Sequence, residues 1–446
     1  MKSDSGFSKL SKRKKLRWVV ENFFRNPEEV MRELTGFWHT SEEKQKIFDE
    51  FSENTLSNFY LPFGIAPNFV INGTTYCVPM VIEESSVVAA ASAGAKFWMD
   101  RGGFHATVTD VTKAGQVHFT WNGEKSKLES VFPDLKARLI AEAKHFTANM
   151  DKRGGGILNI ALVDKKEIEP GYYQLDCTFD TCDAMGANFI NSVLEQFAKT
   201  LKGFVATHPT FDEAEREVSI VMAILTNYTP ECLVKAWTEC PIEELGKVAE
   251  DDPQTFAKKF ELAVRIAMHD VARATTHNKG IFNGIDAVVL ATGNDFRAVE
   301  GCGHTYASRN GQYQSLTTCS LKDGMFRFSI EFPISIGTVG GLTSLHPLAK
   351  RSLELLGNPT AKELMQIIVC VGLAQNFAAV KSLVTTGIQF GHMKMHLMNI
   401  LIHMEASDQE MELAVEHFND KTISYTAVRE FLETFRADNL VQNKSV

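Results

Sequence analysis

The stretch VARATTHNKGIFNGIDAVVLATGNDFR, residues 271–297, holds more polar chemistry than its apolar neighbours require. It sets Lys279 and Asp295 among Arg273, Thr276, Asn278, Asn283 and Asn294, with glycines at 280, 284 and 293, beside the apolar run AVVLA. Buried polar groups are costly unless hydrogen-bonded. Such a cluster marks either a site where ligand atoms complete the pairing or a polar segment that caps a helix. A second candidate is the adjacent pair Glu83 and Glu84, just before a run of small residues. A helix N-terminus favours a carboxylate, whereas burial favours the neutral acid. The pair is therefore a cap or a tuned proton donor. Two loops invite a phosphate: Gly154–Gly155–Gly156 ahead of a strand, and DAMGAN, Asp183 to Asn188, opening a helix. Exposed N–H groups at a helix start bind anions; the plain alternative makes Asp183 an N-cap. His392 follows Gly387 and Gly391, whose spacing permits a hinge; on its own it reads as a surface histidine.

These residues need elements to position them. SSVVAAASAGAKFWM (85–99) has small side chains all round, which predicts a buried central helix with close neighbours. Before it, helices are expected over 8–35 and 41–56, with the basic run Lys12–Lys15 and Arg17 on a solvated face. The β-rich segment that follows has a hairpin turn at Asn72–Gly73. After His105, HATVTDV and QVHFTW alternate around Lys113–Ala114–Gly115, read as a hairpin. A helix over 128–149, strands over 157–163 and 172–180, a helix over 184–204 and a strand over 218–225 complete a split α/β sandwich, mostly antiparallel. No GxGxxG occurs, so a Rossmann site is unsupported. Beyond Asn227 the expectation is helices over 229–245 and 253–274, strands over 313–319 and 325–332, and helices over 347–356 and 360–384. Three short helices end the chain, one starting at Ser407 with Glu410 as its capping box.

Composition narrows the class. With 44% apolar and 23% charged residues over 446 positions, a sizeable core is available. A net charge of -9 argues against a general nucleic-acid binder. No apolar run reaches 18 residues, so no membrane partner is expected, and the N-terminus lacks a signal-peptide core. The eight cysteines never form CxxC, so neither a metal cluster nor a disulfide framework is expected. Reduced cysteines suit a cytoplasmic protein.

Taken in order, ENTLSNFYLPFGIAPNFVINGTTYCVPMVIEESSVVAAASAGAK, DAMGAN, RATTHNKGIFNGIDAVVLATGNDFRAVE, VGGLTSLHPLA, GLAQN and IQFGHM resemble the class II hydroxymethylglutaryl-coenzyme A (HMG-CoA) reductases across most of residues 53–393. The resemblance implies an α+β architecture. A large mixed domain is built round a buried central helix (1–108 and 226–386). A ferredoxin-like, non-Rossmann cofactor domain is inserted at 109–225, and a helical flap closes the chain at 387–446. It implies reduction of the HMG-CoA thioester by two NADPH or NADH to mevalonate and CoA, or the reverse, in a homodimer or an assembly of dimers with shared active sites.

The resemblance also assigns roles. Lys279 matches the catalytic lysine, Glu84 the proton-donating acid, Asp295 the aspartate between them and His392 the histidine that protonates the leaving thiolate. Ser86, Arg273, Thr276, Asn283 and Asn227 would hold the acyl group's polar end, while Ala379 and Leu383 would pack against it. Lys15 could meet CoA phosphates. The cofactor side would comprise Asn159, Asp183, Met185, Gly186 and Asn188. The NAD-using pattern places an aspartate after the triple glycine; here Asn159 stands there, removing repulsion toward a 2′-phosphate. NADPH is therefore expected to be accepted.

Overall fold

The structure is a computed structural model describing residues 6–385, 397–418, 421 and 423–442. It is a mixed α/β protein. Strands β1 (Phe63–Ile71) and β2 (Thr74–Val81) form the expected hairpin, with Asn72 and Gly73 at φ 49° and 82°. Both central residues of a tight hairpin turn take such positive values. The central helix spans Val87–Met99. Its small residues have a definite cause. A Cβ built on Gly94 would lie 2.5 Å from the Ala374 carbonyl oxygen, so this helix touches helix Ala361–Val384 backbone to backbone. Helix Val271–Ala291 meets the same partner at Gly284, where a Cβ would stand 2.8 Å from Gln375 Cβ and 2.9 Å from the Val371 oxygen. Helix Ala361–Val384 is long and apolar enough to cross a bilayer by length and composition. Here it is the spine of the main core instead, with Ile367 to Phe377 buried.

Strand β3 (His105–Val108) corrects the expected hairpin around Lys113–Ala114–Gly115: it pairs with a strand far along the chain. The turn lies earlier, where Asp110 accepts hydrogen bonds from Val111 N, Thr112 N and the Thr112 hydroxyl. Lys113 opens β4 (Lys113–Trp121), which joins β5 (Gly156–Asp164), β6 (Tyr172–Asp180) and β7 (Val218–Leu225) in an antiparallel sheet of order β5-β6-β4-β7. Helices Lys125–Glu142, Lys144–Asp151 and Ala187–Thr207 accompany it. Val117, Phe119, Leu175, Leu194 and Phe197 form a core separate from the main one.

The segment expected as helix 229–245 is instead β8 (Leu233–Pro241) and one 3-10 turn. Its burial alternates residue by residue because β3 flanks it on one side and a late strand on the other. With β9 (Thr317–Lys322) and β10 (Met325–Pro333) it completes a sheet of order β3-β8-β10-β9. The chain leaves the end of β3 and returns to β8 at neighbouring points: Thr109 N donates to the Leu233 carbonyl at 2.8 Å, Leu233 N to Asp110 O at 3.1 Å, and Thr226 N to Ala114 O at 3.0 Å.

Other helices are shorter than expected. Pro27 restarts the first as Lys12–Phe23 and Pro27–Gly36, and the second is only Glu42–Asp49, capped by Ser41. At the C-terminal end, helices 397–403, Asp408–His417 and Tyr425–Gln442 enclose a third small core around Leu401, Ala414 and Val428. The Ser407–Glu410 capping box is present. Gly387, Gly391 and His392 lie outside the described residues.

Candidate active site

Helix Val271–Ala291 presents two unlike polar faces. Arg273, Thr276, Lys279 and Asn283 recur at spacings of three and four, so they share one face. That face is open: Thr276 is exposed, Arg273 and Asn283 half-buried, and the Lys279 side chain 58% exposed. Lys279 Nζ lies 2.6 Å from Glu84 Oε2. The pair joins two elements 195 residues apart, the helix and the turn between β2 and the central helix. Ser86 sits on that turn at φ 74°, makes no side-chain cap bond and stays half-buried. Left-handed geometry at a non-glycine residue costs on the order of 1 kcal/mol and collects at functional turns. Glu83 beside it is exposed.

The other face is closed. His277 Nε2 meets Thr317 Oγ1 at 2.6 Å, the Thr317 hydroxyl donates to Asn376 Oδ1 at 3.1 Å, and Asn376 Nδ2 donates to the His277 carbonyl at 3.2 Å. Asn278 donates to Gln314 O and accepts from Leu316 N. Burial, aided by the Arg273 charge, pushes the His277 imidazole down to about 3, so it is neutral. Asn294 donates to Thr292 Oγ1 and accepts from Gly337 N. These side chains answer the ambiguity of the sequence: Asn278 and Asn294 are internal pins, whereas among the described residues the side chains of Arg273 and Asn283 have no hydrogen-bond partner and Lys279 has Glu84.

Asp295 caps helix Phe296–Ala307, accepting from Arg297 N and Ala298 N, and its carboxylate takes two hydrogen bonds from the Arg297 guanidinium at 3.0 and 2.9 Å. That guanidinium holds the Asp295 carboxyl below its ordinary value. Among the described residues Asp295 contacts these groups and not Lys279. Arg297, which the sequence reading passed over, is its partner only two residues away. Farther along the same helix face as Lys279, Asp286 is raised well above the carboxylate range by burial, with Glu300 beside it.

Asp295 and Arg297 line a cleft of about 450 Å³ with Met185, Gly186, Asn188, Phe189 and the loop at Gly337–Leu342. Three of the expected cofactor residues therefore share one cavity with Asp295. Gly186 is at φ 92°, and a Cβ there would fall 2.4 Å from Thr181 Cγ2. The turn that starts helix Ala187–Thr207 thus requires glycine. Asp183 faces elsewhere: its carboxylate accepts from Ala361 N at 2.7 Å, capping a helix 178 residues away. It is a cap, as the plain reading had it, but of a different helix. Asn159 is exposed on β5 and accepts from Lys136 Nζ at 2.8 Å. Asn227 lines a small chamber with Lys113, Cys302 and Ser335. Ala379 is half-buried and Leu383 is 42% exposed at the end of its helix.

The family model for hydroxymethylglutaryl-coenzyme A reductase matches residues 13–397. The 3-hydroxy-3-methylglutaryl-coenzyme A reductase of Archaeoglobus fulgidus is 36% identical over 436 residues, spanning 97% of this chain and 94% of the relative. A probable reductase of the same name from Borreliella burgdorferi is 34% identical over 405 residues, 90% of this chain and 89% of its own length. Among solved structures, the Streptococcus pneumoniae reductase matches with a TM-score of 0.70 at 34% identity, over 97% of this chain and 100% of that one. A class II structure of the Streptococcus pneumoniae enzyme bound to NADPH in open conformations matches at 0.69 and 34% identity, over 86% and 100%. The chain belongs to the hydroxymethylglutaryl-coenzyme A reductase family. It is an oxidoreductase that reduces HMG-CoA to mevalonate.

Proposed function

We propose that Lys279 and Glu84 carry the chemistry of this reduction; their 2.6 Å contact across two elements is the observation that supports the reading. Bound NADPH supplies hydride, two equivalents for the four-electron change from thioester to alcohol. Negative charge develops on the thioester oxygen as the carbonyl is attacked. The Lys279 ammonium stabilises it, and Glu84, in contact with that ammonium, passes a proton to the oxygen. When the carbon–sulfur bond breaks, the thiolate needs a proton. Reference values of ~8.5 for a thiol and ~6.5 for imidazole suit His392 to that step. Arg273 offers a guanidinium to the acyl carboxylate. Ser86, Thr276 and Asn283 add hydrogen bonds, and Ala379 and Leu383 provide an apolar wall. Asp295, which the resemblance places between the lysine and the acid, is held here by Arg297 and lines the cofactor cleft instead.

NADPH fits the cleft that Asp295 shares with Met185, Gly186 and Asn188, whose helix N-terminus offers backbone N–H groups to a phosphate. The exposed Asn159, with a lysine on its amide oxygen and no carboxylate of its own, suits an adenosine 2′-phosphate. The division at 1–108, 109–225, 226–386 and 387–446 is supported by three separate apolar cores. The site residues are open to solvent in the single chain, and Phe59, Tyr60 and Ile65 form an exposed apolar strip, 92%, 56% and 50% accessible. A second copy of the chain would cover both. All eight cysteines are free, as in a reducing cytoplasm.

Nucleotide oxidation on adding HMG-CoA, followed with NADPH and NADH in both directions, tests the assignment; a clear kcat/KM preference for NADH overturns the cofactor reading. Replacing His392 should impair thioester reduction and spare reduction of free mevaldehyde. Equal loss of both removes its role. Sedimentation of the intact enzyme should give a dimer or a multiple of it.

A further inference from the structure

Among the described residues, Lys113 is a lysine without a counter-ion. It is 4% exposed at the first position of β4. Its ammonium donates to Thr181 Oγ1 at 2.5 Å and to the Ala184 carbonyl at 2.8 Å. Thr181 is itself fully buried and donates to the same carbonyl at 2.6 Å. Among the described residues no carboxylate lies within ion-pair distance of Lys113. The titratable groups that face it stand farther off: Asp180, Cys182 and Asp183 from the loop after β6, and Cys232 ahead of β8. Cys302, from helix Phe296–Ala307, shares its chamber of about 20 Å³, room for one water.

A buried ammonium with only neutral partners is expensive to keep charged. The hydrogen bonds it does make all fall on one short loop. That loop runs from Thr181 to the Gly186 turn, and its far side is the wall of the cleft lined by Met185, Gly186 and Asn188. From the cleft side the 337–341 segment presses on it: a Cβ on Gly337 would sit 2.4 Å from Met185 N, and Thr338 N donates to Asp183 O at 2.8 Å. The loop is thus gripped between Lys113 on the inside and a glycine-rich strap on the outside.

We propose that Lys113 is a positioning residue for the dinucleotide. It clamps the Thr181–Gly186 turn so that the N-terminus of helix Ala187–Thr207 faces the cleft, and its positive charge is complemented by the anionic pyrophosphate of NADPH bound beyond the loop. This rests on the reading that the cleft holds the cofactor. The compensation runs both ways. The anion favours the charged ammonium, and the charged ammonium favours the anion. Burial lowers the proton affinity of Lys113. Dinucleotide affinity should therefore weaken as pH rises and the free enzyme's Lys113 loses its proton. HMG-CoA, bound on the Lys279 side, should be indifferent to it.

The test uses the full-length enzyme with NADPH as probe. Lys113→Met should raise the NADPH KM and the directly titrated Kd by about tenfold or more, the loss expected for a hydrogen-bonded charge. Saturated kcat and the HMG-CoA KM should stay within about threefold of the parent, because neither Lys279 nor Glu84 is touched. The rise of NADPH Kd with pH should be present in the parent and flattened in the variant. Thr181→Val, which removes one acceptor and leaves the charge, should shift KM in the same direction by less, and it serves if Lys113→Met does not fold. Unchanged NADPH affinity in either folded variant overturns the proposal, as does an equal fall in kcat and in affinity for both substrates. If the parent enzyme itself fails to bind NADPH, it is the cofactor reading that falls.

Discussion

Helix Val271–Ala291 carries histidine and asparagine on one side, and arginine, lysine and asparagine on the other, yet the two sides behave differently. On the inner side, His277, Asn278, Thr317 and Asn376 satisfy one another and the backbone within the chain. On the outer side, among the described residues, Arg273 and Asn283 have no such ring of partners, and Lys279 meets Glu84. A closed polar network specifies a packing. An open one on a rigid helix offers hydrogen bonds to something else. Residue type alone does not distinguish them; completeness of pairing does.

The sharpest test of that contrast removes Lys279. Lys279→Ala should reduce turnover by roughly a hundredfold or more, as loss of an oxyanion donor does, while the melting temperature stays close to the parent's because the side chain is exposed. Steady-state rates and a thermal melt on the same preparation check both halves. The mirror experiment cuts the inner network. Asn376→Leu removes one partner from the His277 carbonyl and one from the Thr317 hydroxyl, which keeps His277 Nε2, and should cost about 1–2 kcal/mol in denaturant unfolding. Specific activity of the folded fraction should hold at temperatures well below the melt. If activity falls before stability does, the inner network belongs to the site after all.

Asp286 tests the buried end of the face that Lys279 opens. Its carboxyl is raised from 3.8 to about 8 by burial beside Glu300. A group whose folded value is raised holds its proton more tightly in the native state. Its contribution to stability is therefore full below pH ~4 and lost as pH climbs toward 8. Asp286→Asn should accordingly gain stability over the parent, by on the order of 1 kcal/mol per pH unit through that window. Unfolding at pH 5 and 7.5 would show it; a gain that does not grow with pH would point to another cause. The smallest effect is expected at Thr276, exposed on the outer face. Thr276→Ala should leave stability within ±0.5 kcal/mol, and a KM change for HMG-CoA of a few-fold would place it at the substrate's edge.

Local signals in the sequence proved sound where the structure is local. The Asn72–Gly73 turn and the Ser407 capping box rest on neighbours in the chain, and the runs of β6 and β7 are legible to the residue although β7 pairs with the distant β4. The misreadings are non-local. Residues 229–245 are apolar enough for a helix, and only the flanking β3 and β10 make them a strand. Lys113–Ala114–Gly115 reads as a turn because lysine and glycine sit together, but Gly115 is a strand residue kept small by Leu194 and Leu225 packing over it. Asp183 looks like the cap of the helix it precedes, and instead caps one reached only through the fold. For the site, the sequence named both members of the Lys279–Glu84 pair. The polar cluster alone did not set Asn278 and Asn294 apart, since their partners, Gln314, Leu316 and Gly337, are distant in the chain; the roles implied by the resemblance left both out.

Two backbone crossings, at Thr109–Leu233 and Ala114–Thr226, lie side by side where the chain leaves β3 and returns to β8. The same stretch is gripped again at its far end, where Thr338 N donates to Asp183 O and Asp183 caps helix Ala361–Val384. Transplanting residues 109–225 between relatives would therefore have to carry a matching 337–341 strap along with them.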